Sequence, residues 1–408
     1  MERIRLGLKE SLHDKMLNQQ IYPQLGIGYL GAFLLRNGFS PLIVDCTAQR
    51  MNVYETVEYI LHENPLFVGI YVNSFSLFAV RTIICTLKSQ RDIPVLVGGP
   101  HVSSEPFSVK YLGADFGICG EGERRILDFA NQIYEENKIF GVPGLISKDG
   151  FVEESSYNYY DDLEGIFPLR PDYLFKKYRS PFCNGPMTTI ITSRGCPFKC
   201  IFCASSKLYK YRRRSFLDVF EEIRHIIDLG YTHLQFQDDN LNISREWLHN
   251  LCELIIKHNI HRIISWDCNL RLDLTDEEQL RLLSLAGCKM IRFGVETADY
   301  NFRKNILKKD INNELLKNVI RIAKKYNIKT LGYFMLGFPG EDDFVRQSTL
   351  NMILSLGIDY FDCNITKILP GTVLYEVALK ENIISRDIFK EVACGKKSIP
   401  LFIPHGTD

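Results

Sequence analysis

Three cysteines in one short loop constrain this chain more than any other feature. Cys196, Cys200 and Cys203 stand in C-x3-C-x2-C spacing within residues 193–206. The run before them, residues 187–192, is rich in β-branched side chains, which predicts a strand. The cysteines therefore follow the end of a strand, where α/β proteins place their chemistry.

Three thiolates this close together are suited to binding metal. A structural zinc site needs four ligands, commonly as two C-x2-C pairs, and the next cysteine, Cys252, falls in a helix-like segment. An iron–sulfur cluster held by thiolates fits better, and three ligands would leave one iron of a four-iron cluster open to a small molecule. A group of buried thiols without metal is the remaining alternative.

Composition narrows the class of protein. A length of 408 residues favours two domains. The 49 basic and 49 acidic residues cancel, which argues against nucleic acid or a membrane surface as the main partner. The amino-terminal sequence has no apolar signal-like run, and no apolar stretch is long enough to span a bilayer. With twelve cysteines and no export signal, we expect a cytoplasmic protein.

Residues 1–137 alternate strand and helix patterns, which predicts a doubly wound, Rossmann-like parallel sheet. Helices are expected at Gly26–Arg36 and Tyr54–His62. The predicted strands are Ile4–Leu8, Pro41–Asp45, Leu66–Val72, Pro94–Val97 and Asp115–Cys119. Ligands of such sheets bind beyond the carboxyl ends of the strands. The turns expected there are Pro23–Gly28, Asn73–Ser76, Gly98–His101 and Gly120–Glu123.

The rest of the chain divides into three further parts. Residues 138–186 form an irregular linker that contains a hairpin signal at Ser147–Phe151. Residues 187–382 hold six longer β/α units, which predict an incomplete (β/α)6 barrel. Its strands are expected at 188–192, 232–237, 262–268, 289–295, 329–336 and 360–366. Residues 383–408 form a short C-terminal tail.

Polar residues follow several predicted barrel strands, where a barrel active site would lie. Asp238 and Asp239 follow the second strand and could receive an ammonium group, or they could cap the next helix. Arg271 follows the third strand and could bind a carboxylate bidentately, or it could form a surface ion pair with Asp273. Glu296 follows the fourth strand and could contact a ligand or cap a helix.

The cysteine motif, with Phe202 just before its last cysteine, resembles the signature of the radical S-adenosylmethionine (SAM) enzymes. The resemblance continues in order along the chain, through Gly-Val-Glu at 294–296, Gly-Phe-Pro-Gly-Glu at 337–341 and Pro-Gly-Thr at 370–372. It implies a [4Fe-4S] cluster on the three cysteines and SAM on its open iron. Reductive cleavage of SAM would give methionine and a 5′-deoxyadenosyl radical. The SAM-binding residues that the resemblance implies are Phe202, Asp238 or Asp239, Arg271, Glu296, Met335 and Gly337.

The first domain resembles the cobalamin-binding domain fused to many radical SAM enzymes. The resemblance rests on Pro-x-Leu-Gly-x-x-Tyr-Leu, Val-Gly-Gly-Pro-His and Gly-Glu-Gly-Glu. The D-x-H-x-x-G motif is absent, so no protein histidine is expected on the lower face of the cobalt, and some relatives use this domain only as a scaffold. The implied cobalamin contacts are Gly26, Ser74, Gly98, Gly99, His101, Gly120 and Glu121. His101 could instead cap or pack behind its Gly-Gly-Pro turn.

Three consecutive arginines in the segment Tyr211–Ser215 have two interpretations. They could form a phosphate or nucleic-acid patch. A neutral chain and an acidic following segment favour local support of the cluster region, with Arg214 in that role.

Together these features predict a radical SAM enzyme that acts on a small biosynthetic intermediate. We expect cobalamin-dependent methylation of an unactivated carbon or a phosphinate, with flavodoxin or ferredoxin as electron donor. Rearrangement, cyclisation or desaturation without methyl transfer is the first alternative. A non-catalytic iron–sulfur protein for electron transfer or redox sensing is the second.

Overall fold

Two sheets covered by helices, one mixed and one parallel, form the framework of the described part of the chain. The computed structural model describes residues 21–135, 141–151 and 164–402. The predicted strand Ile4–Leu8 lies outside these residues. The α/β class and the order of the two units agree with the sequence prediction.

The first sheet has five strands in the spatial order β1-β2-β3-β4-β5. Strands β1, β2 and β3 are parallel, with Val68 paired to Val95 and Leu96 to Phe116. Strands β4 and β5 form the predicted hairpin, which adds antiparallel to β3. The strands are β1 Val68–Tyr71, β2 Val95–Gly98, β3 Phe116–Ile118, β4 Leu145–Ser147 and β5 Gly150–Phe151.

Within residues 21–135, seven α-helices belong to this first unit. Helix α3 begins with a capping box, in which the side chain of Asn52 accepts from the N–H of Glu55 while the Glu55 carboxylate accepts from the N–H of Asn52. The helices are α1 Leu25–Arg36, α2 Cys46–Gln49, α3 Val53–Glu63, α4 Leu77–Gln90, α5 Pro100–Ser104, α6 Ser108–Leu112 and α7 Glu123–Tyr134.

The predicted strand at Pro41–Asp45 is wrong. These residues have an irregular backbone, and they pair with no strand in the described part of the chain. The backbone of Ile43 bonds to a side chain instead, since its N–H donates to the Tyr173 hydroxyl oxygen at 3.2 Å and its carbonyl accepts from the same hydroxyl at 2.8 Å. The prediction failed because an apolar run that ends in an acid looks like a strand in the sequence, whether or not a neighbouring strand is available to pair with it.

The second sheet has six parallel strands in the order β6-β9-β10-β11-β12-β13. Each overlaps its predicted range, and within the described residues no pairing joins β13 back to β6, so the partial barrel is confirmed. The strands are β6 Met187–Ile190, β9 His233–Phe236, β10 Ser265–Asn269, β11 Cys288–Glu296, β12 Lys329–Leu336 and β13 Tyr360–Ile365. A separate two-stranded ribbon is formed by β7 Ser193–Arg194 and β8 Arg212–Arg213.

The helices of the second unit pack on the outer face of this sheet. Val219, Ile255, Leu283 and Val319 lie in one continuous apolar core with the outward side chains of the strands. These helices are α8 Ser205–Leu208, α9 Phe216–Asp228, α10 Arg245–Lys257, α11 Glu277–Leu285, α12 Asn313–Lys325, α13 Asp343–Ser355 and α14 Val373–Lys380. The last described helix, α15 Ile388–Ala393, follows them in sequence but packs in the apolar core of the first unit. No helix in the described residues is long and apolar enough to cross a membrane.

Candidate functional site

The cysteine loop leaves the carboxyl end of β6 and turns back on itself. The N–H of Cys203 donates to the carbonyl of Cys200 at 3.1 Å, and all three cysteine side chains are half-buried. Burial raises the pKa of Cys196 to about 11, and Asp239 and the other two thiols add to that rise. The thiols of Cys200 and Cys203 also have raised pKa values, mainly through burial. The three thiols therefore face a shared, partly desolvated space.

The three cysteines fit an iron–sulfur cluster better than a single metal ion. In residues 21–135, 141–151 and 164–402, no set of three or more His, Cys, Asp or Glu side chains is arranged to chelate one metal ion. In an iron–sulfur cluster each thiolate binds a different iron, so the sulfur atoms need not converge on one point. The amide of Asn240 donates to the Cys196 sulfur at 3.6 Å, and such hydrogen bonds orient the ligands of a metal centre.

The two adjacent acids after β9 have different environments. The carboxylate of Asp238 is buried and accepts from the Thr192 hydroxyl at 2.7 Å, the Thr192 N–H at 3.1 Å and the Ser193 hydroxyl at 2.5 Å. Asp238 therefore fixes the start of the cysteine loop. Neither acid caps the following helix, because Ser244 is the N-cap of α10.

Asp239 is the acid that faces the open space. Its side chain is exposed and lines a cavity between the two units. The surrounding protein nevertheless raises the pKa of Asp239, mainly through burial, although a hydrogen bond from Ser205 opposes the rise. A carboxylate in this position is available to a positively charged ligand group.

Arg271 lies beside the cysteine loop and is only 6% exposed. Its Nε donates to Asp273 at 3.0 Å, so the predicted alternative pairing with Asp273 is present, between a buried arginine and an exposed aspartate. The guanidinium also stacks over the ring of Phe198, 3.6 Å from the centroid. The contacts of Arg271 in this structure thus support the loop between Cys196 and Cys200.

Glu296 ends β11 with a positive φ of 68° and forms a buried ion pair. Its Oε1 lies 2.8 Å from Nζ of Lys309. A Cβ at Gly294 would overlap the Glu296 carboxylate, so this close approach requires glycine. The helix-cap alternative is wrong, because the π-helix that follows, Phe302–Ile306, has Asn301 at its N-cap, and α12 is capped by Asn312.

Lys309 is a site residue that sequence analysis missed. It is buried beside Glu296, and its charge acts on Cys200. In the sequence it stands in the run Lys308-Lys309-Asp310, which has the same appearance as an exposed charged turn. Only the path of the chain after β11 brings its ammonium group to the cysteine loop.

The predicted SAM-binding residues Met335 and Gly337 lie at an apolar wall next to the cysteine loop. Met335, Phe338 and Phe202 share one apolar group, and the rings of Phe202 and Phe338 are 5.7 Å apart. Gly337 has a φ of 82°, which favours glycine. Its N–H donates to the carboxylate of Glu341, whose pKa burial raises.

A cavity of about 840 Å³ lies between the two units. This volume is within the range of small-molecule and cofactor sites, ~300–1,000 Å³. Its walls come from the carboxyl edge of the first sheet and from the cysteine loop. The predicted cobalamin contacts that line it are Gly26, Gly98, Gly99, Gly120 and Glu121. From the second unit, Ser193, Gly195 and Asp239 reach the same space.

Gly98 leaves an open place in the cavity wall. A Cβ added there would meet only the carbonyl of Ile118, at 3.8 Å. Backbone at this position can therefore come close to a large planar ligand. The cavity and its glycine edge fit a bulky cofactor.

Ser74 and His101 do not line this cavity. The Ser74 hydroxyl lies 2.9 Å from Nδ1 of His101, and the Tyr111 hydroxyl lies 2.7 Å from Nε2. Burial lowers the pKa of His101 to about 4, so the ring is neutral. This geometry matches the packing alternative for His101. The physical reason is that α5 turns its ring into the core, away from the carboxyl edge of the sheet.

Ion pairs join the Gly-Glu-Gly-Glu turn to the ribbon that flanks the cysteine loop. The Arg194 guanidinium lies 2.6 Å from Glu123 and 3.4 Å from Glu121. Glu121 also binds the Arg212 guanidinium. The side chain of Glu121 is therefore engaged with the second unit at the edge of the cavity.

The three consecutive arginines all contact protein groups. Arg213 stacks over the ring of Trp247 at 4.5 Å, and Arg214 is buried and paired with Asp218 and Glu222. Arg214 also donates to the carbonyl of Ile191 at 2.9 Å, just before the cysteine loop. The arrangement agrees with local support of the loop.

Comparison with known protein families identifies both units. The model of the radical SAM superfamily matches residues 190–353, and the model of the B12 binding domain matches residues 19–130. The chain carries a radical SAM domain preceded by a B12-binding domain. It is therefore a radical SAM enzyme, whose family cofactors are a [4Fe-4S] cluster and SAM, joined here by the domain that binds cobalamin.

Individual relatives agree with this assignment. The chain is 27% identical over 371 residues to an uncharacterized methyltransferase of Pyrococcus horikoshii, covering 89% of this chain and 80% of that protein. It is 26% identical over 347 residues to the anaerobic magnesium-protoporphyrin IX monomethyl ester cyclase of Rubrivivax gelatinosus, covering 81% of this chain and 62% of the cyclase.

A solved structure shares the two-unit fold. The radical SAM methyltransferase TsrM from Kitasatospora setae, with cobalamin and a [4Fe-4S] cluster bound, matches with a TM-score of 0.74. The match covers 88% of this chain and 76% of that protein at 20% identity.

Proposed function

We propose that this chain is a cobalamin-dependent radical SAM methyltransferase. Its substrate would be an unactivated carbon or a phosphinate in a small biosynthetic intermediate. The observation that carries the proposal is the cavity between the units. Its walls include both the glycine edge of residues 98–99 and 120, and Ser193, Gly195 and Asp239 from the region of the cysteine loop.

The proposed cluster ligands are Cys196, Cys200 and Cys203. When bound, the cluster and SAM supply a hydrogen-abstracting radical, and cobalamin supplies a carrier for a methyl group. The contribution of the protein is to place these groups against one another and against the substrate. The ion pairs of Glu121 and Glu123 with Arg194 support such placement, because they connect the two walls of the cavity.

For SAM we propose contacts from three directions. Asp239 would accept hydrogen bonds from the ammonium group, since it is the acid that opens to the cavity. The Glu296–Lys309 pair would offer an acceptor and a cation beside Cys200. The backbone at Met335 and Gly337, with Phe202, would contact the adenine through an apolar wall.

Charge-assisted bonds of this kind are shorter and stronger than neutral ones in a site that excludes water. The apolar wall and the burial of Glu296 both favour such exclusion. A dry site also limits side reactions of a reactive intermediate. These properties suit radical chemistry on an unactivated carbon.

We further propose that the enzyme works in the cytoplasm and is reduced by a flavodoxin or ferredoxin. All twelve cysteines are free, which is typical of a reducing compartment. The Fe–S cluster needs one electron for each SAM cleavage, so a low-potential donor is a chemical requirement of the proposed reaction.

The test uses anaerobically reconstituted protein with SAM that carries a deuterated methyl group. Methyl transfer predicts release of S-adenosylhomocysteine that depends on added cobalamin, together with 5′-deoxyadenosine. With a small-molecule extract as substrate, mass spectrometry should find a product that retains the deuterated methyl. Release of 5′-deoxyadenosine without any S-adenosylhomocysteine would contradict methyl transfer.

Cyclisation without methyl transfer is the second candidate. The match to the magnesium-protoporphyrin cyclase over 81% of this chain favours it. The same labelling experiment separates the two, since a cyclase would form 5′-deoxyadenosine and a product without the deuterated methyl. A protein that never cleaves SAM after reduction would instead support a non-catalytic cluster.

A further inference from the structure

The last described part of the chain, residues 383–402, contacts both units. We infer that this C-terminal segment is a positioning element, which holds the turn Gly337–Gly340 in a fixed place relative to the B12-binding domain. The inference rests on the proposed role of that turn in binding SAM. Four sets of contacts support it.

The first set anchors the segment in the amino-terminal unit. Phe389 is fully buried and Ile388 is 6% exposed, and both belong to the apolar core formed by α4 and α6. The ring of Phe389 lies 5.2 Å from the ring of His101, which sits in α5. Helix α15 is therefore part of the core of the B12-binding domain, although it follows the barrel in sequence.

The second set attaches the end of the segment to the barrel. Leu401 forms an antiparallel bridge with Lys367, just beyond β13. The carbonyl of Pro400 accepts from the N–H of Ile368 at 2.9 Å, and the N–H of Phe402 donates to the carbonyl of Thr366 at 3.1 Å. Residues 400–402 thus continue the edge of the second sheet.

The third set reaches the turn itself. Thr366 donates to the carbonyl of Leu336 twice, from its N–H at 2.7 Å and from its hydroxyl at 2.9 Å. The carbonyl oxygen of Phe402 lies 3.1 Å from the place that a Cβ of Gly337 would occupy. The Phe402 side chain is 5% exposed and packs with Ile368, so its burial keeps this carbonyl against the turn.

The fourth set continues to the cysteine loop. Phe338, next to Gly337, is fully buried and contacts Phe202. The N–H of Leu374, at the start of α14, donates to the carbonyl of Ile201 at 3.2 Å. The contacts therefore form one continuous path from the core of the B12-binding domain, through Phe402 and the turn, to the loop between Cys200 and Cys203.

This path of contacts predicts a specific defect in variants whose C-terminal segment is held less tightly. The cluster ligands and the glycine edge of the cavity are untouched, so iron and cobalamin should bind as before. SAM should bind more weakly because its turn is less well held, and misplacement by about 1 Å can reduce productive reaction ~100-fold. We expect more 5′-deoxyadenosine for each methylated product, because SAM cleavage and methyl transfer would be less well coupled.

The experiment measures SAM affinity calorimetrically on reconstituted protein, using Phe402→Ala, the conservative Phe402→Leu and a matched control. Phe344 is a suitable control phenylalanine because it is 76% exposed on α13. We expect about tenfold weaker SAM binding for Phe402→Ala, a change of the size of one lost well-packed contact. Phe402→Leu should recover most of the affinity, and Phe344→Ala should match the wild type.

Thr366→Val provides a second variant if Phe402→Ala fails to fold. It removes only the hydroxyl bond to Leu336 and keeps the side-chain shape, so a smaller loss of SAM affinity is expected. Amide exchange at Phe338 should also become faster in either variant. Folded Phe402→Ala and Thr366→Val proteins with wild-type SAM affinity would overturn the inference. A wild-type protein that binds no SAM would overturn the proposed function instead.

Discussion

The two walls of the central cavity are built in different ways. On the barrel side, charged and polar side chains line the space, among them Arg194, Gln237 and Asp239. On the amino-terminal side, backbone at Gly98 and Gly120 lines the space together with apolar side chains. The barrel wall offers specific polar contacts to a small ligand, and the glycine edge offers room to a large one.

This difference explains which substitutions should act on which cofactor. Removing a charged group from the barrel wall should impair the cluster or SAM and spare cobalamin. Adding bulk to the glycine edge should displace cobalamin and spare the cluster. If a substitution in one wall also released the cofactor held by the other wall, the two walls would not act independently.

The largest expected effect comes from the cysteines. The triple variant Cys196/Cys200/Cys203→Ala should lose its iron and all reductive cleavage of SAM, because no thiolate remains to hold a cluster. Cobalamin should stay bound. Iron analysis and 5′-deoxyadenosine formation measure the first effect, and cobalt analysis measures the second. Cys85→Ala, at an exposed free cysteine, is the control and should behave as wild type.

A leucine at Gly98 should have the next largest effect. Its side chain would project into the cavity from a strand end where a Cβ alone meets little, so Gly98→Ala should be tolerated. Filling the cofactor space should weaken cobalamin binding by about 100-fold, equivalent to ~3 kcal/mol of overpacking. Cobalt content after gel filtration measures this loss, while iron should stay at the wild-type level. Full cobalt retention in Gly98→Leu would show that cobalamin does not bind in this cavity.

The adjacent acids should separate into a structural and a ligand-binding residue. Asp239→Asn should keep its fold and iron but bind SAM about 10- to 100-fold more weakly, since a hydrogen bond to a charged group contributes roughly 1.5–3 kcal/mol. Asp238→Asn should instead lower the unfolding temperature, because three donors from Thr192 and Ser193 lose an ionised acceptor. The opposite outcome, with Asp238→Asn stable and defective only in SAM binding, would reverse the assignment.

The smallest expected effect is a pH dependence in the amino-terminal unit. Burial raises the pKa of Glu105 to about 7 from 4.5, and Asp387 at the start of α15 adds to the rise. The folded protein therefore keeps a proton on Glu105 at pH values where the unfolded chain has released it. The contribution to stability is complete below pH 4.5 and is lost as the pH rises through 7.

Thermal unfolding at several pH values measures this contribution. The nearby groups are the Tyr111 and Tyr375 hydroxyls and the Asp387 carboxylate. Glu105→Gln should gain about 2 kcal/mol relative to wild type at pH 8, after allowance for partial solvent exposure, and about nothing at pH 4. An equal effect of the substitution at both pH values would contradict a titrating Glu105.

The candidate residues on the barrel side could be identified from the sequence because they are cysteines and charged residues at predicted strand ends. The spacing of the three cysteines and the acids at 238, 239 and 296 can be read directly, and the strand pattern orders them around one edge. The choice between Asp238 and Asp239 could not be predicted, because it depends on which carboxylate meets Thr192 and Ser193 in three dimensions.

The amino-terminal wall was harder to predict for a physical reason. A site built from glycine backbone has no side-chain pattern that separates a lining residue from a neighbour in the core. Gly98 and Gly99 line the cavity, whereas His101, two residues later, turns inward to Tyr111. The C-terminal helix was missed for a related reason, since the apolar pattern of Ile388–Ala393 does not reveal which unit it packs against.

The most direct test of the account is the iron and cobalt content of the wild-type protein, reconstituted anaerobically with iron, sulfide and cobalamin and then freed of unbound cofactor. The account predicts about four irons per chain together with stoichiometric cobalt. A full complement of iron with no retained cobalt would contradict the central claim, because the cavity would then serve the radical SAM barrel without holding cobalamin.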